Sequence, residues 1–151
     1  METRFVVVVV VIVVWLLLAG IEDGLTIRQF GDAIMRQMGP SYSRFRATNI
    51  ARTEVTNAAN GGHVPAMKQL EETGLVTDKR WSSVLDNTTR PAHRALHDVT
   101  TEGVDGLFHL DGVLVPFPGH PDLPPENRCG CQCTISSVTV VDALEDAILG
   151  G

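Results

Sequence analysis

The sequence predicts an α+β fold, with an N-terminal helical part followed by a small, loop-rich antiparallel β part. In the first half, apolar residues recur at the three- and four-residue spacing of amphipathic helices. In the second half, short alternating segments are separated by turns rich in glycine and proline. With 151 residues, the chain is long enough to bury a core of its own.

An apolar segment of residues 1–21 precedes a domain that we place at residues 22–151. Fifteen consecutive apolar residues run from Phe5 to Ala19, and the run approaches the shortest length that crosses a membrane. The segment therefore predicts a membrane span or an uncleaved anchor. A cleaved signal peptide, a buried N-terminus and a misplaced start codon are the alternatives.

The first helix has a start, an apolar stripe and an end. Thr26 and Gln29 have the spacing of a capping box, and the apolar stripe runs from Ile27 to Met38. Gly39 is followed by a proline, which predicts an αL cap and a helix end. We therefore expect a helix over residues 27–38.

Two further helices are predicted before the β part. One runs from about residue 43 to residue 60 and ends at Gly61 and the glycine after it. The other begins with Pro65 in its first turn and ends at Gly74, with Leu75 packing back on it.

The β part is predicted from turns and alternation. Trp81 lies on a short extended segment, and Thr89 is placed to cap a short helix that carries Pro91 in its first turn. A hairpin over residues 107–117 turns at Asp111-Gly112. A closing strand over residues 133–141 and a last helix capped by Asp142 follow.

Composition removes several function classes. The formal net charge of −6 argues against a general electrostatic grip on nucleic acid, although local arginine clusters remain available. The sequence contains no phosphate-binding P-loop, no dinucleotide-binding glycine loop and no zinc-protease box. Three cysteines within five residues do not resemble a secreted disulfide framework and indicate a reducing compartment.

The histidines and cysteines predict a metal site. His93 and His97 are four residues apart, so both would project from one helix face. Cys131 and Cys133, or Cys129, would complete a set of four ligands, and thiolates with imidazoles select zinc. The alternative is that His93 is a hydrogen-bonded core residue near Trp81 and that the thiols are small buried apolar groups.

A catalytic site is the weaker interpretation. Asp86, Arg90 and His93 with a cysteine nucleophile would form a Cys-His-Asp arrangement. Asp86 and Arg90 equally fit a structural carboxylate–guanidinium pair that fixes the turn. We therefore assign no catalytic residue and regard a Cys/His or metal-dependent hydrolase as an alternative.

A series of motifs in one order resembles the pattern of a phage family. Ile50–Val55, which includes Arg52 and Glu54, is followed by Trp81, Asp86, Arg90 and His93, then by a Gly/Pro passage at residues 112–121 and by Cys131–Thr134. This order is similar to the phage Mu F-like (SPP1-type) head morphogenesis or minor head protein family. The chain departs from the family pattern after His93, where the usual glycine is missing, and in the spread cysteine end.

The resemblance implies a minor head component of a phage or prophage. It implies portal and other head proteins as partners, phage DNA as a further contact, and a location in the virion or the host cytoplasm. The apolar segment would add contact with a membrane. The alternative function is a small membrane-anchored metal-binding protein or hydrolase that uses the His/Cys cluster.

Overall fold

The computed structural model describes Trp15, residues 18–20, residues 22–39 and residues 42–149. The predicted α+β class is confirmed, and the chain divides into two compact units, Met1–Val55 and Thr56–Gly151. Most of the apolar segment, and with it the predicted membrane span or signal peptide, lies outside the described residues. Within the described part, every helix is too short or too polar to cross a bilayer.

The first unit contains helix α1 (Ile27–Met38), as predicted. Its N-terminus has the reciprocal capping box, in which Thr26 and Gln29 each bond the other's backbone N–H. Gly39 ends the helix at φ 85° and ψ 173°, which is a positive φ but not the αL conformation expected. α1 packs on the first part of the next helix through a small apolar core of Phe30, Ile34, Ala47 and Ala51.

One long helix, α2 (Arg44–Glu72), replaces the second and third helices of the prediction. Gly61 and the glycine after it do not end the helix, and Pro65 lies inside it. Gly61 instead lets the ring of Phe117 approach closely, since an added Cβ would lie 3.3 Å from that ring. Buried hydrogen bonds of Asn60 also fix this part of the helix against the β part of the second unit. Tertiary contacts thus override the local signals for a helix end.

The C-terminus of α2 is capped at Gly74, as predicted. Gly74 has φ 75°, its N–H bonds the Glu71 carbonyl, and the N–H of Leu75 bonds the Leu70 carbonyl. This is the Schellman pattern, which satisfies two of the last carbonyls of the helix. The side chain of Leu75 is 61% exposed, so the expected packing of Leu75 on the helix is wrong.

Two antiparallel strand pairs form the β part. Strand β1 (Val76–Ser82) pairs with β4 (Thr134–Thr139), and Trp81 lies opposite Ile135. The predicted hairpin is confirmed as β2 (Phe108–Leu110) and β3 (Val113–Val115). Its turn has φ 48° at Asp111 and φ 84° at Gly112, which is the conformation that an Asp-Gly hairpin favours.

Three short helices complete the second unit: α3 (Pro91–Ala95), α4 (Pro125–Arg128) and α5 (Val140–Leu149). The expected cap of α3 is wrong, because Arg90 rather than Thr89 is the N-cap residue. The expected cap of α5 is also wrong. The hydroxyl of Thr139 instead accepts from the backbone N–H of Asp142, as an N-cap residue does, and the hydroxyl and backbone N–H of Thr139 both donate to the Asp142 carboxylate. α5 therefore begins directly at the end of β4.

The core of the second unit surrounds Trp81, which is fully buried. Residues 98–101 run along β1, with backbone hydrogen bonds from Asp98 and Thr101 to strand carbonyls. Lys79 is also fully buried, and its ammonium donates to the carbonyls of Val104 and Gly106. The buried apolar side chains of this core are those of Met67, Val76, Trp81, Val104, Phe108, Leu110, Val115, Leu123, Cys131, Cys133 and Ile135.

Candidate metal site

Three metal-ligating side chains meet in the core of the second unit. His93 comes from α3, and Cys131 and Cys133 come from the extended stretch just before β4. All three are buried, and one ligand atom of each lies within 4.8 Å of the others. Nδ1 of His93 is 3.6 Å from Sγ of Cys131 and 3.5 Å from Sγ of Cys133. Two segments far apart in sequence thus bring an imidazole and two thiols together.

The local backbone explains why both thiols face the histidine. In an extended chain, residues i and i+2 point to the same side, so Cys131 and Cys133 project together. Gly130 has φ 67° and lets the chain turn just before them. The backbone N–H of Cys133 then lies 3.4 Å from Sγ of Cys131 and donates to it.

Contacts from β1 and the residue after it orient His93. Ser83 Oγ donates to the His93 carbonyl at 2.7 Å and accepts from Trp81 Nε1 at 3.1 Å. The rings of Trp81 and His93 meet edge to face, with centroids 5.7 Å apart and an interplanar angle of 74°. Ser83 Oγ also lies 3.5 Å from Sγ of Cys133. The imidazole is therefore held in place by its backbone and by its ring.

The pKa values of the two thiols are shifted in opposite directions. The hydrogen bond from the Cys131 thiol, with further help from His93, lowers the pKa of Cys133 below its ordinary value of 9.0. The same hydrogen bond, together with burial, raises the pKa of Cys131. One sulfur is thus disposed to be a thiolate while the other keeps its proton. A thiolate is the form that binds a metal ion.

Asn60 of α2 supports the cysteine stretch from the opposite side. Its amide donates to the carbonyls of Pro118 and Cys133 at 3.0 Å each, and its carbonyl accepts from the N–H of Ile135 at 3.2 Å. Thr56, one turn earlier, donates to the Cys131 carbonyl at 2.9 Å. These bonds fix the backbone on both sides of the two thiols.

A small cavity opens beside the three ligand atoms. Its volume is about 30 Å³, which is room for about one or two water molecules. The turn before α3 and the cysteine stretch form its walls. The residues lining it are Val84, Thr88, Thr89, Arg90, His93, Gly130, Cys131, Gln132 and Cys133.

The structure brings some of the predicted metal ligands together and leaves one of them outside the cluster. His93, Cys131 and Cys133 come together as expected. His97 does not join them, because α3 ends at Ala95 and the shared helix face does not exist. Nδ1 of His97 instead accepts from the N–H of Ser83 at 3.1 Å, and its other ring nitrogen lies 3.4 Å from the Asp98 carboxylate.

The Asp86–Arg90 pair of the prediction is wrong. The Asp86 carboxylate accepts from the N–H and hydroxyl of Thr88 and from the hydroxyl of Thr89. The Thr88 side chain is the largest cause of a lowered pKa for Asp86. Arg90 instead donates to the Cys129 carbonyl at 2.6 Å, which ties the turn to the cysteine stretch.

The remaining motif residues have structural positions. Trp81 is the centre of the core, as described above. Arg52 and Glu54 lie in α2 within the first unit and are half-buried. Neither is among the side chains that converge on the three ligand atoms.

Two residues that matter for the site carried no recognisable sequence signal. Ser83 connects Trp81, His93 and Cys133, yet a serine after a strand is common. Asn60 looked like part of a helix end because two glycines follow it. The i,i+2 spacing of Cys131 and Cys133, which is not the usual spacing of structural zinc ligands, nevertheless puts both thiols on one side of an extended chain.

Comparison with known proteins gives two similarities. A family model described as "Phage Mu protein F like protein" matches residues 12–136. The chain is 26% identical over 123 residues to a protein of Bacillus phage SPP1 named "Minor head protein GP7". That match covers 82% of this chain and 38% of the SPP1 protein, so the chain spans well under half of that relative's length. No solved structure matches the chain significantly.

Proposed function

Because the chain belongs to the family of phage Mu protein F like proteins, we propose that it is a minor head component of a phage or prophage. The observation that carries this proposal is the family match over residues 12–136, which includes α1, α2 and the whole His/Cys cluster. The similarity to a protein named as a minor head protein points the same way. Neither similarity supports the alternative of a membrane-anchored metal-binding protein or hydrolase.

The partners of such a component are other proteins of the phage head. Contact with the portal and with phage DNA is a finer proposal that the family resemblance suggests. The net charge of −6 favours protein partners over a broad DNA-binding surface, because that surface would need clustered lysine and arginine. The expected location is accordingly the virion, and the host cytoplasm during assembly.

We assign a structural rather than an enzymatic role. The carboxylate of the proposed Cys-His-Asp arrangement, that of Asp86, accepts hydrogen bonds from two threonines and does not orient the His93 ring. The His93 ring instead packs on Trp81 and faces two buried thiols. Buried packing of this kind stabilises the loop-rich unit.

The test is the composition of phage particles from the genome that encodes the chain. Particles would be induced, and DNA-filled heads purified by density gradient. Peptides of the chain should be found by mass spectrometry at a low copy number relative to the major head protein. Deletion of the gene should reduce the yield of infectious particles.

The control is complementation of the deletion, once with the wild-type gene and once with a variant. Wild-type chain should restore infectivity, and so should a variant in which the exposed Cys129 is changed to serine. The proposed role would be refuted if the chain were absent from purified heads and deletion of its gene left the yield of infectious particles unchanged.

A further inference from the structure

We propose that His93, Cys131 and Cys133 bind a zinc ion through three protein ligands, with a solvent molecule as the fourth ligand. The ligand atoms are Nδ1 of the histidine and Sγ of the two cysteines. This site is independent of the head role, because it concerns how the second unit is held together.

The interatomic distances fit a tetrahedral zinc centre. Zinc–sulfur bonds of about 2.3 Å and zinc–nitrogen bonds of about 2.0 Å place a sulfur and a nitrogen ligand about 3.6 Å apart. The two sulfur–nitrogen distances in the site are 3.6 Å and 3.5 Å. Both sulfur–nitrogen distances are therefore those expected between two ligands of one zinc ion.

Hydrogen bonding alone accounts for only part of the arrangement. Nδ1 of an imidazole offers one donor or one acceptor position in the ring plane. Two sulfurs are nonetheless nearly equidistant from Nδ1 of His93. A hydrogen bond between this nitrogen and one thiol leaves the other thiol without that partner. An ion bound by all three atoms gives each of them an equivalent role.

A backbone hydrogen bond to Cys131 suits a thiolate ligand at that position. The backbone N–H of Cys133 donates to Sγ of Cys131, and a sulfur that carries negative charge accepts such a bond best. Two thiolates and a neutral imidazole would balance the charge of Zn²⁺. Such balance matters because a buried charge is costly unless it is paired.

A cavity beside the three residues leaves room for a fourth ligand. About 30 Å³ lies open beside the ligand atoms, between Thr88, Arg90 and Gln132. Cys129 is exposed and outside the cluster, and Nδ1 of His97 already accepts from the Ser83 N–H. A water molecule in the cavity is therefore the fourth ligand that fits.

Zinc would join α3 to the stretch before β4, which the hydrogen bond from Arg90 to the Cys129 carbonyl also connects. Such a metal supplies folding free energy to a loop-rich unit. Binding would strengthen as pH rises, because each cysteine must lose its proton to become a ligand.

The experiment uses the full chain, purified in reducing buffer without chelator. Elemental analysis should find about one zinc per chain. Replacement by Co²⁺ should produce a sulfur-to-cobalt charge-transfer band and the visible bands of a tetrahedral site. Zinc content should fall to near zero in Cys131→Ser and Cys133→Ser. The matched controls Cys129→Ser and His97→Ala should keep full zinc content.

A loss of zinc in a variant that fails to fold would be ambiguous, so wild-type protein provides the second measurement. A chelator should lower the melting temperature, and stoichiometric zinc should restore it. The proposal is overturned if wild-type chain neither retains nor takes up stoichiometric zinc. It is also overturned if Cys131→Ser binds zinc as the wild type does, or if both control variants lose it.

Discussion

The side-chain amide of Asn60 donates to the backbone carbonyl of Cys133 at 3.0 Å. Asn60 is 1% exposed, and its other bonds reach Pro118 and Ile135. One helical side chain thus satisfies three backbone groups on two loops and the start of β4. Because buried backbone groups are costly when unpaired, this residue holds the cysteine stretch in place.

Asn60→Ala should lower the free energy of unfolding by about 3 kcal/mol, because it leaves buried carbonyls and one N–H without partners. Urea unfolding followed by tryptophan fluorescence measures this loss. Asn57→Ala, one turn earlier on a half-buried position of the same helix, is the control and should cost much less. Equal losses in the two variants would show that the Asn60 bonds do not stabilise the fold.

Gly62→Ala should stabilise the chain by about 0.5–1 kcal/mol, because alanine is the better helix former and nothing lies within 4 Å of the added Cβ. Gly61→Ala should increase the stability less, because the added Cβ would lie 3.3 Å from the Phe117 ring and that ring would have to shift. Thermal unfolding of the two variants side by side tests this order. A larger gain at residue 61 would contradict the close approach of Phe117.

Thr88→Val should raise the pKa of Asp86 towards its ordinary value of 3.8, because the Thr88 hydroxyl is the largest cause of the lowered pKa. Thr88→Ser retains a hydroxyl and should leave the pKa low. Carboxyl ¹³C chemical shifts followed through an acid titration give both values. A depressed pKa in the folded state also means that the Asp86 contribution to stability is present above the ordinary pKa. That contribution is lost as pH falls through the lowered value.

Burial lowers the pKa of Lys79 below its ordinary value of 10.5. Between the lowered value and 10.5 the Lys79 side chain binds more protons in the unfolded chain than in the folded chain, so Lys79 contributes a rise of stability with pH across this alkaline window, which the raised pKa of Cys131 opposes. Lys79→Met should lack that rise. The partly exposed Lys68 gives the control, and Lys68→Met should keep it. Parallel urea titrations over the window decide the comparison, and a rise retained without Lys79 would contradict the assignment.

Elements with complete local signals could be predicted from the sequence. The Thr26–Gln29 capping box and the Asp111-Gly112 turn depend on atoms within a few residues of one another. Their geometry is set by backbone sterics and short-range hydrogen bonds, which the sequence displays directly. The helix over residues 27–38 and the hairpin were therefore located correctly.

The length of α2 could not be predicted in this way. Two consecutive glycines and Pro65 are strong local signals for a helix end, yet the helix continues through them. The contacts that hold it are with Phe117 and, through Asn60, with Pro118 and Cys133, all distant in sequence. Local propensity is a weak prior when such contacts form.

The candidate site was predicted only in part, because some of its geometry is local and some depends on where α3 ends. The two thiols share a side because of an i,i+2 spacing that is visible in the sequence. The assignment of His97 assumed two full helical turns, and α3 ends at Ala95 before the second turn forms. Whether a metal occupies the site stays a prediction until zinc content is measured.

The pairing of β1 with β4 has a consequence for synthesis. Ser82 lies opposite Thr134, so the sheet joins strands separated by α3, the hairpin and α4. Trp81 and Asn60 are synthesised well before Ile135, which lies opposite Trp81 in the sheet and donates its N–H to Asn60. Long-range pairing of this kind is slow and leaves apolar surface open in the interim. The nascent chain can therefore bury Trp81 and pair Asn60 only after β4 has been made. Until residues 131–135 have emerged, the exposed apolar surface favours aggregation.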